Sequence, residues 1–286
     1  MAAAVFAPAL AAREPRPGRE PILSLDTYSL RDLYWSRKLT LEDTPALLKE
    51  LKIKGITFND MFFGDRLNDT AYLDVLKKAV KDNGRIVTGF IIEGNLAMAD
   101  EQARRRQIEV NMAKMKAAAY LGAPVCRINI GGTGGGPEQD ATVGVERVIA
   151  AFKELLPLAK QLNLKITIEN HGGVSAKADN ILKIIKGTDP KWVGSCLDFG
   201  NWPADVRYDE CQKLAPYAYH VHAKAYSFDE NGEETRMDYG RLLGMLKAAR
   251  YRWAVSIEFE GRGDAVEGVK KTRDLILKHW PQVRTD

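Results

Sequence analysis

The chain is poor in the residues that most often announce a chemistry. Its 286 residues include four histidines and three cysteines. Cys126, Cys196 and Cys211 are odd in number and form no C-x-x-C pair, which excludes a disulfide framework and a zinc finger. No charge sign dominates. Lys and Arg total 42 against 38 Asp and Glu, so nothing in the balance calls for nucleic acid or an anionic membrane as partner. Arg104-Arg105-Arg106 is the one dense basic cluster and reads as a solvated helix face. No apolar run is long enough to span a bilayer. Glycine is missing after the first strand, where Thr27-Tyr28-Ser29-Leu30-Arg31 stands in place of a dinucleotide-binding fingerprint.

The start of the chain differs from the rest. Met1 to Ala12 is apolar and contains Ala9-Leu10-Ala11, an A-x-A cleavage pattern, and Arg13 to Gly18 follows as a linker. Residues 1–20 therefore read as a signal-peptide remnant and linker, although a basic n-region is missing. A periplasmic or secreted protein is the expectation, a cytoplasmic one the rival. Residues 21–286 read as one domain.

Within that domain apolar runs and amphipathic stretches alternate. Ile22–Asp26, Gly55–Phe58, Arg85–Phe90 and Val125–Ile130 read as the first four strands. Between them lie helical patterns at Leu41–Lys52, Thr70–Asp82 and Asp100–Leu121, the last ending at Gly122. A helix at Glu138–Leu162 leads to four more strands, with helices near 179–186, 204–214, 238–249 and 265–280. Eight strands alternating with about eight helices predict an α/β fold, a single-domain (β/α)8 TIM barrel.

The second half carries the chemistry. Four apolar runs each end in a ligand type suited to metal: Lys165 to His171 through Glu169, Val193 to Asp198, Ala218 to His222, and Ala254 to Glu260 through Glu258. Strand side chains alternate with period two. Glu169 is thus in phase with His171, His220 with His222 and Lys224, Glu258 with Glu260, and Arg127 with Asn129. Their apolar neighbours must face the helices, so the polar set points into the barrel and its mouth. Burying so many ionisable groups is costly unless a metal or substrate pairs with them. Glu93, at the end of strand three, joins the set. His279 reads as a surface or packing residue. Gly131 to Gly136 and Gly261-Arg262-Gly263 read as loops rather than phosphate cradles.

Tyr28 to Asp32, Arg127-Ile128-Asn129, Ile168 to Gly173, Cys196 to Asn201, His220 to Lys224 and Ser256 to Gly261 together give the chain its kinship. It resembles the sugar phosphate isomerase/epimerase group of xylose isomerase-like barrels, over about residues 21–280. The resemblance implies one divalent ion held by Glu169, Asp198, His222 and Glu258, with manganese favoured and magnesium, cobalt or zinc as substitutes. Two positions depart from the ketose 3-epimerases of that group. Asn201 replaces a histidine, and Lys224-Ala225-Tyr226 replaces a segment that carries a glutamate. A free ketohexose is therefore not the expected substrate.

The reading is a metal-dependent sugar isomerase or epimerase that abstracts a proton next to a carbonyl through an enediolate, with Glu169 and Glu258 as the acid–base pair. Glu93, Arg127, Asn129, His171, His220, Lys224 and Glu260 are the expected substrate contacts. The alternative is a lyase or hydratase that acts on 3-keto sugars or glycosides by β-elimination. A three-metal endonuclease is disfavoured, since it needs about five histidine ligands, and a non-catalytic sugar-binding barrel is the remaining rival. The expected partner is a small carbohydrate, with no nucleic acid or membrane, and a homo-oligomer is an admissible assembly.

Overall fold

The structure, a computed structural model, describes residues 19–132 and 141–286. The expected cleavage segment, the linker to Gly18, most of the glycine run and the expected helix start at Glu138 lie outside the described residues.

Eight parallel strands close into one barrel in sequence order. They are β1 (Ile22–Asp26), β2 (Gly55–Asn59), β3 (Ile86–Ile92), β4 (Val125–Ile128), β5 (Lys165–Glu169), β6 (Val193–Asp198), β7 (Ala218–Ala225) and β8 (Ala254–Phe259). β8 pairs back onto β1 through Leu23 and Val255, so no sheet edge is left. The helices around them are α1 (Arg31–Trp35), α2 (Thr44–Glu50), α3 (Thr70–Asp82), α4 (Glu101–Leu121), α5 (Ala141–Leu162), α6 (Ala178–Gly187), α7 (Arg207–Leu214), α8 (Tyr239–Ala248) and α9 (Ala265–His279). The single-domain barrel expected from the alternation is thus the observed fold.

Local chemistry sets the element ends. Asp69 accepts from Ala71 N at 3.0 Å and starts α3, whose buried Leu73, Leu76 and Val80 recur at helical spacing. Asp100, Asp238 and Asp264 cap α4, α8 and α9 in the same way. Gly122, at φ 90°, ends α4 in the left-handed region. The layer between strands and helices is apolar, with Ile56, Phe90, Ile128, Ile168, Val221 and Ile257 buried.

Some boundaries differ from the sequence pattern. β4 stops at Ile128 instead of Ile130, because Asn129 turns its amide to Glu93 and accepts from Gly131 N. β3 runs two residues past Phe90 to Ile92. The short helix α1, which follows β1 after a 3-10 turn at Thr27–Leu30, had no periodic signal to announce it.

Inside the barrel lies a layer of small hydroxyls. Ser24 and Thr88 meet at 2.6 Å, Thr57 and Thr88 at 3.2 Å, and Ser256 donates to Thr57 at 3.3 Å. His220 joins the layer through Nε2, 3.3 Å from Thr57 Oγ1. Its ring needs the bare face of Gly89, where an added Cβ would lie 3.0 Å from His220 Cε1. This plug closes the barrel below its C-terminal mouth.

Candidate metal centre and mouth cavity

Each mouth residue stands two positions beyond a plug residue or its equivalent. Asp26 follows Ser24 on β1, His222 follows His220 on β7, and Glu258 follows Ser256 on β8. The phase that fills the plug therefore aims the next inward side chain at the mouth. Glu169, Asp198, His222 and Glu258 are all buried, and each offers a ligand atom within 4.8 Å of the others. Strands β5 and β8 are not neighbours, yet their carboxylates converge. His222 Nδ1 lies 3.1 Å from Glu169 Oε1 and 3.3 Å from Glu258 Oε2. Glu169 and Glu258, the expected acid–base pair, thus meet at one imidazole.

Two fixed cations flank this cage. Arg127, 2% exposed, bridges Glu93 Oε1 at 2.5 Å and Glu169 Oε2 at 2.7 Å. Lys224, equally buried, lies 3.2 Å from Asp198 Oδ2, 3.2 Å from Glu258 Oε2 and 2.9 Å from Glu260 Oε1. It also donates to Asn201 Oδ1 at 2.9 Å. Gly200 makes room for it, since a Cβ there would lie 2.9 Å from Lys224 Cδ.

The carboxylates are crowded enough to compete for charge. Burial pushes the Asp198 carboxyl well above the usual range, Lys224 opposing and Glu258 and Glu169 reinforcing the rise. Burial acts on Glu169 too, but Arg127 and His222 outweigh it and hold that group well below its ordinary value. Glu258 is likewise held low, against burial, by Lys224 and His222. Lys224 stays protonated, because Asp198, Glu258 and Glu260 overcome its desolvation.

The donor set fits a divalent cation. Asp198 Oδ2 and Glu258 Oε2 are buried without a hydrogen-bond partner, although both lie at contact distance from Lys224. Buried polar atoms in proteins are normally paired. Three carboxylates and one imidazole within 4.8 Å are a donor set for a hard or borderline cation.

Other residues stand around the cage. Asp26 Oδ2 faces His222 Nε2 at 3.3 Å, outside hydrogen-bond angles, and burial raises the Asp26 carboxyl to about 7. Asn201 donates to Glu169 Oε1 at 3.2 Å, and its backbone N–H and that of Gly200 both donate to Asp198 Oδ1. A mouth cavity of about 590 Å³ opens over the cage.

The expected site residues divide by position. Glu93, Arg127, Glu169, His171, His222, Lys224, Glu258 and Glu260 line the mouth cavity. Asp198 is wholly buried beneath it, in the cage. Asn129 supports the wall from behind by donating to Glu93 Oε2 at 2.7 Å. His171 holds its rim position through Nδ1, 3.1 Å from Gly132 O. His220 does not line the cavity. It belongs to the plug, where burial and the adjacent His222 lower its imidazole to about 3 and keep it neutral. Asp26, Tyr28, Asn59, Met61 and Tyr226 line the cavity without having been singled out as site residues. Asp26 stands at or near the C-terminal end of its strand, as the three acids and one imidazole of the cage do, and the same rule would have found it.

Comparison with known proteins agrees with this fold. The family described as xylose isomerase-like TIM barrel matches residues 45–279. A C-glycoside deglycosidase alpha subunit of Microbacterium trichothecenolyticum is 22% identical, with 84% of each chain covered. A protein of the same name from Arthrobacter globiformis is 37% identical over 76 residues, which are 27% of this chain and 22% of that protein. The solved 3-keto-D-glucoside 4-epimerase of E. coli superposes with a TM-score of 0.66 at 16% identity, covering 84% of this chain and 94% of its own.

Proposed function

The chain belongs to the xylose isomerase-like TIM barrel family, and from that premise we propose that it is a divalent-metal-dependent lyase acting on 3-keto glycosides. The observation that carries this reading is the buried cage of Glu169, Asp198, His222 and Glu258 beside a fixed ammonium. The deglycosidase relatives favour cleavage as the outcome. Manganese is the ion that the family resemblance implies, and the donor set is compatible with it and with magnesium, cobalt or zinc as substitutes.

When bound, the ion polarises the sugar carbonyl and its neighbouring hydroxyl. The rest falls to the protein. Arg127 clamps Glu169, and Lys224 borders Glu258, so both carboxylates are oriented before substrate arrives. One of them takes the proton from the carbon beside the carbonyl. The C–H electron pair becomes a carbon–carbon double bond, and the carbonyl pair moves onto oxygen. When that carbonyl reforms, the double-bond pair shifts to the next carbon and the substituent there leaves with its bonding electrons. The departing group takes a proton from Lys224, which Glu260 holds at 2.9 Å. The products are the protonated leaving group and an unsaturated keto sugar.

A second reading shares the first step. Glu169 and Glu258 approach His222 Nδ1 together, and returning the proton from the second carboxylate would invert a centre or move the carbonyl, as in an epimerase or isomerase.

The test is a manganese-loaded sample incubated in D2O with methyl and phenyl 3-keto-β-D-glucosides, followed by mass spectrometry. Release of alcohol or phenol with an unsaturated keto sugar supports the lyase. Recovery of deuterated, epimerised glycoside supports the second reading. Glu169→Gln and Glu258→Gln should each lose at least about a hundredfold in turnover, with metal content measured in the same samples. If both keep metal and exchange the C–H at the parent rate, neither carboxylate is the base.

A further inference from the structure

The foot of the barrel, at the opposite end from the mouth, holds a cavity of about 620 Å³. It lies where β5 to β8 begin, between the loop before β6 and the loop from α8 to β8. The two ends differ in charge. The mouth cavity carries the carboxylates of Asp26, Glu93, Glu169, Glu258 and Glu260 against the cations Arg127 and Lys224. The foot cavity is lined by Lys165, Lys191, Arg250 and Arg252, and by no acid among the described residues. Lys165 is in phase with Thr167 and Glu169 on β5, so the strand turns it inward. It is 6% exposed, its Nζ donates to Lys191 O at 2.6 Å, and the ammonium lies 4.5 Å from the centroid of Trp192 and 5.4 Å from that of Tyr219. Those ring faces are already taken, so the cavity offers charge rather than a flat wall.

The protein does little to cancel that charge. Lys191, Arg250 and Arg252 make no ion pair and no side-chain hydrogen bond among the described residues. Asp189, the acid nearest to Lys191 in sequence, pairs with Lys160 at 2.8 Å and accepts from the Lys191 backbone N–H. A neighbouring cavity that shares Arg250 and Arg252 adds Arg19 and Lys247, and one acid, Glu20. A volume of this size falls in the range of small-molecule sites, about 300–1,000 Å³. A phosphate group brings nearly two negative charges and three acceptor oxygens at neutral pH, and arginine forks match it in pairs of hydrogen bonds. A carboxylate brings one charge and would leave most of these cations unpaired.

We propose that the foot cavity is a phosphate site, separate from the mouth, which takes inorganic phosphate or a small molecule that carries a phosphate group. Arg250 and Arg252 from the loop before β8 and Lys191 from the loop before β6 hold the phosphate oxygens. Lys165 supplies a fixed charge at the wall. The site stands apart from the lyase reading, since it shares no residue with the cage or the mouth cavity.

Calorimetric titration of the full-length protein, loaded with one equivalent of manganese and freed of excess metal, tests this without any measure of turnover. The probes are acetate, inorganic phosphate, phenyl phosphate and pyrophosphate. Phosphate should bind saturably and acetate should not. Pyrophosphate should bind at least about tenfold tighter than phosphate, and both affinities should fall as sodium chloride is raised. Phenyl phosphate tighter than phosphate would identify an ester as the occupant; the reverse order would identify the free ion. Lys191 and Arg250 are exposed, so Lys191→Gln with Arg250→Gln should melt like the parent in phosphate-free buffer. That double variant should lose at least about tenfold in pyrophosphate affinity; Arg252→Gln is the second variant. Absence of saturable phosphate and pyrophosphate binding, acetate binding as tight as phosphate, or pyrophosphate affinity unchanged in both variants overturns the site. So does binding that disappears when manganese is stripped from the parent, because the anion would then sit on the ion in the mouth.

Discussion

Two polar layers share the interior of this barrel, and they are built in opposite ways. The lower one links Ser24, Thr57, Thr88, Ser256 and His220 by hydrogen bonds among neutral groups, and among these five only His220 Nδ1 lacks a partner. The upper one gathers Asp26, Glu169, Asp198, Glu258, Arg127, Lys224 and His222, and leaves Asp26 Oδ2, Asp198 Oδ2, His222 Nε2 and Glu258 Oε2 without hydrogen bonds. The two histidines of β7, two residues apart, therefore have opposite fates. His220 is kept neutral by burial. Burial opposes charge on His222, but Cys196, Glu258 and Glu169 outweigh it and draw the ring toward the cationic form. A buried polar layer is inert when it satisfies itself, and becomes a binding site when anions are packed together with too little positive charge.

The sharpest way to break this contrast is to remove a cage carboxylate. Asp198→Ala should lose at least about a hundredfold in turnover, and elemental analysis should find little metal in it. A variant with full metal and normal turnover would place the site elsewhere.

Metal should also be felt as stability. At a hundred times its dissociation constant, a bound ion stabilises the fold by about 2.7 kcal/mol. Thermal melts with and without manganese should show this as a clear rise in Tm in the parent and in His220→Ala, and no rise in Asp198→Ala. A rise that survives in Asp198→Ala would mean that the ion binds outside the cage.

Asp26 is the expected orienting partner of His222, since its carboxylate faces the ring nitrogen turned away from the cage. Removing such a partner costs about 10–100-fold in metal affinity. Asp26→Asn titrated against a competing chelator should show that loss; parent affinity would assign Asp26 to packing alone.

The smallest effect is expected in the plug. His220→Ala leaves Thr57 with one partner fewer and should lower stability by about 1–3 kcal/mol, measured by urea unfolding, with metal affinity unchanged. A drop in metal affinity comparable to that of Asp26→Asn would show that the two layers are coupled.

Much of this organisation is legible in the sequence because alternation is local. Glu169 with His171, and Glu258 with Glu260, are in phase whatever the rest of the chain does. The same rule could not separate His220 from His222, because it fixes a face of the strand and not a height in the barrel. Nor could it place Lys224 among Asp198, Asn201, Glu258 and Glu260, which come from the ends of the two strands on either side of its own. Register shifts at Ile56/Thr57 and at Ser195/Cys196 alter how neighbouring strands line up, and no residue pattern marks them.

The sequence by itself determined the alternation of strands and helices, the inward face of each strand, and the acids and imidazoles toward the C-terminal ends of β5 to β8. These follow from period-two geometry and from the cost of burying charge, both of which act over a few residues. Only the tertiary structure decided that Asp26 would meet His222 and that Arg127 and Lys224 would flank one cage. Those are distances between strands far apart in the chain, and they are set by how the barrel closes and how its strands are staggered.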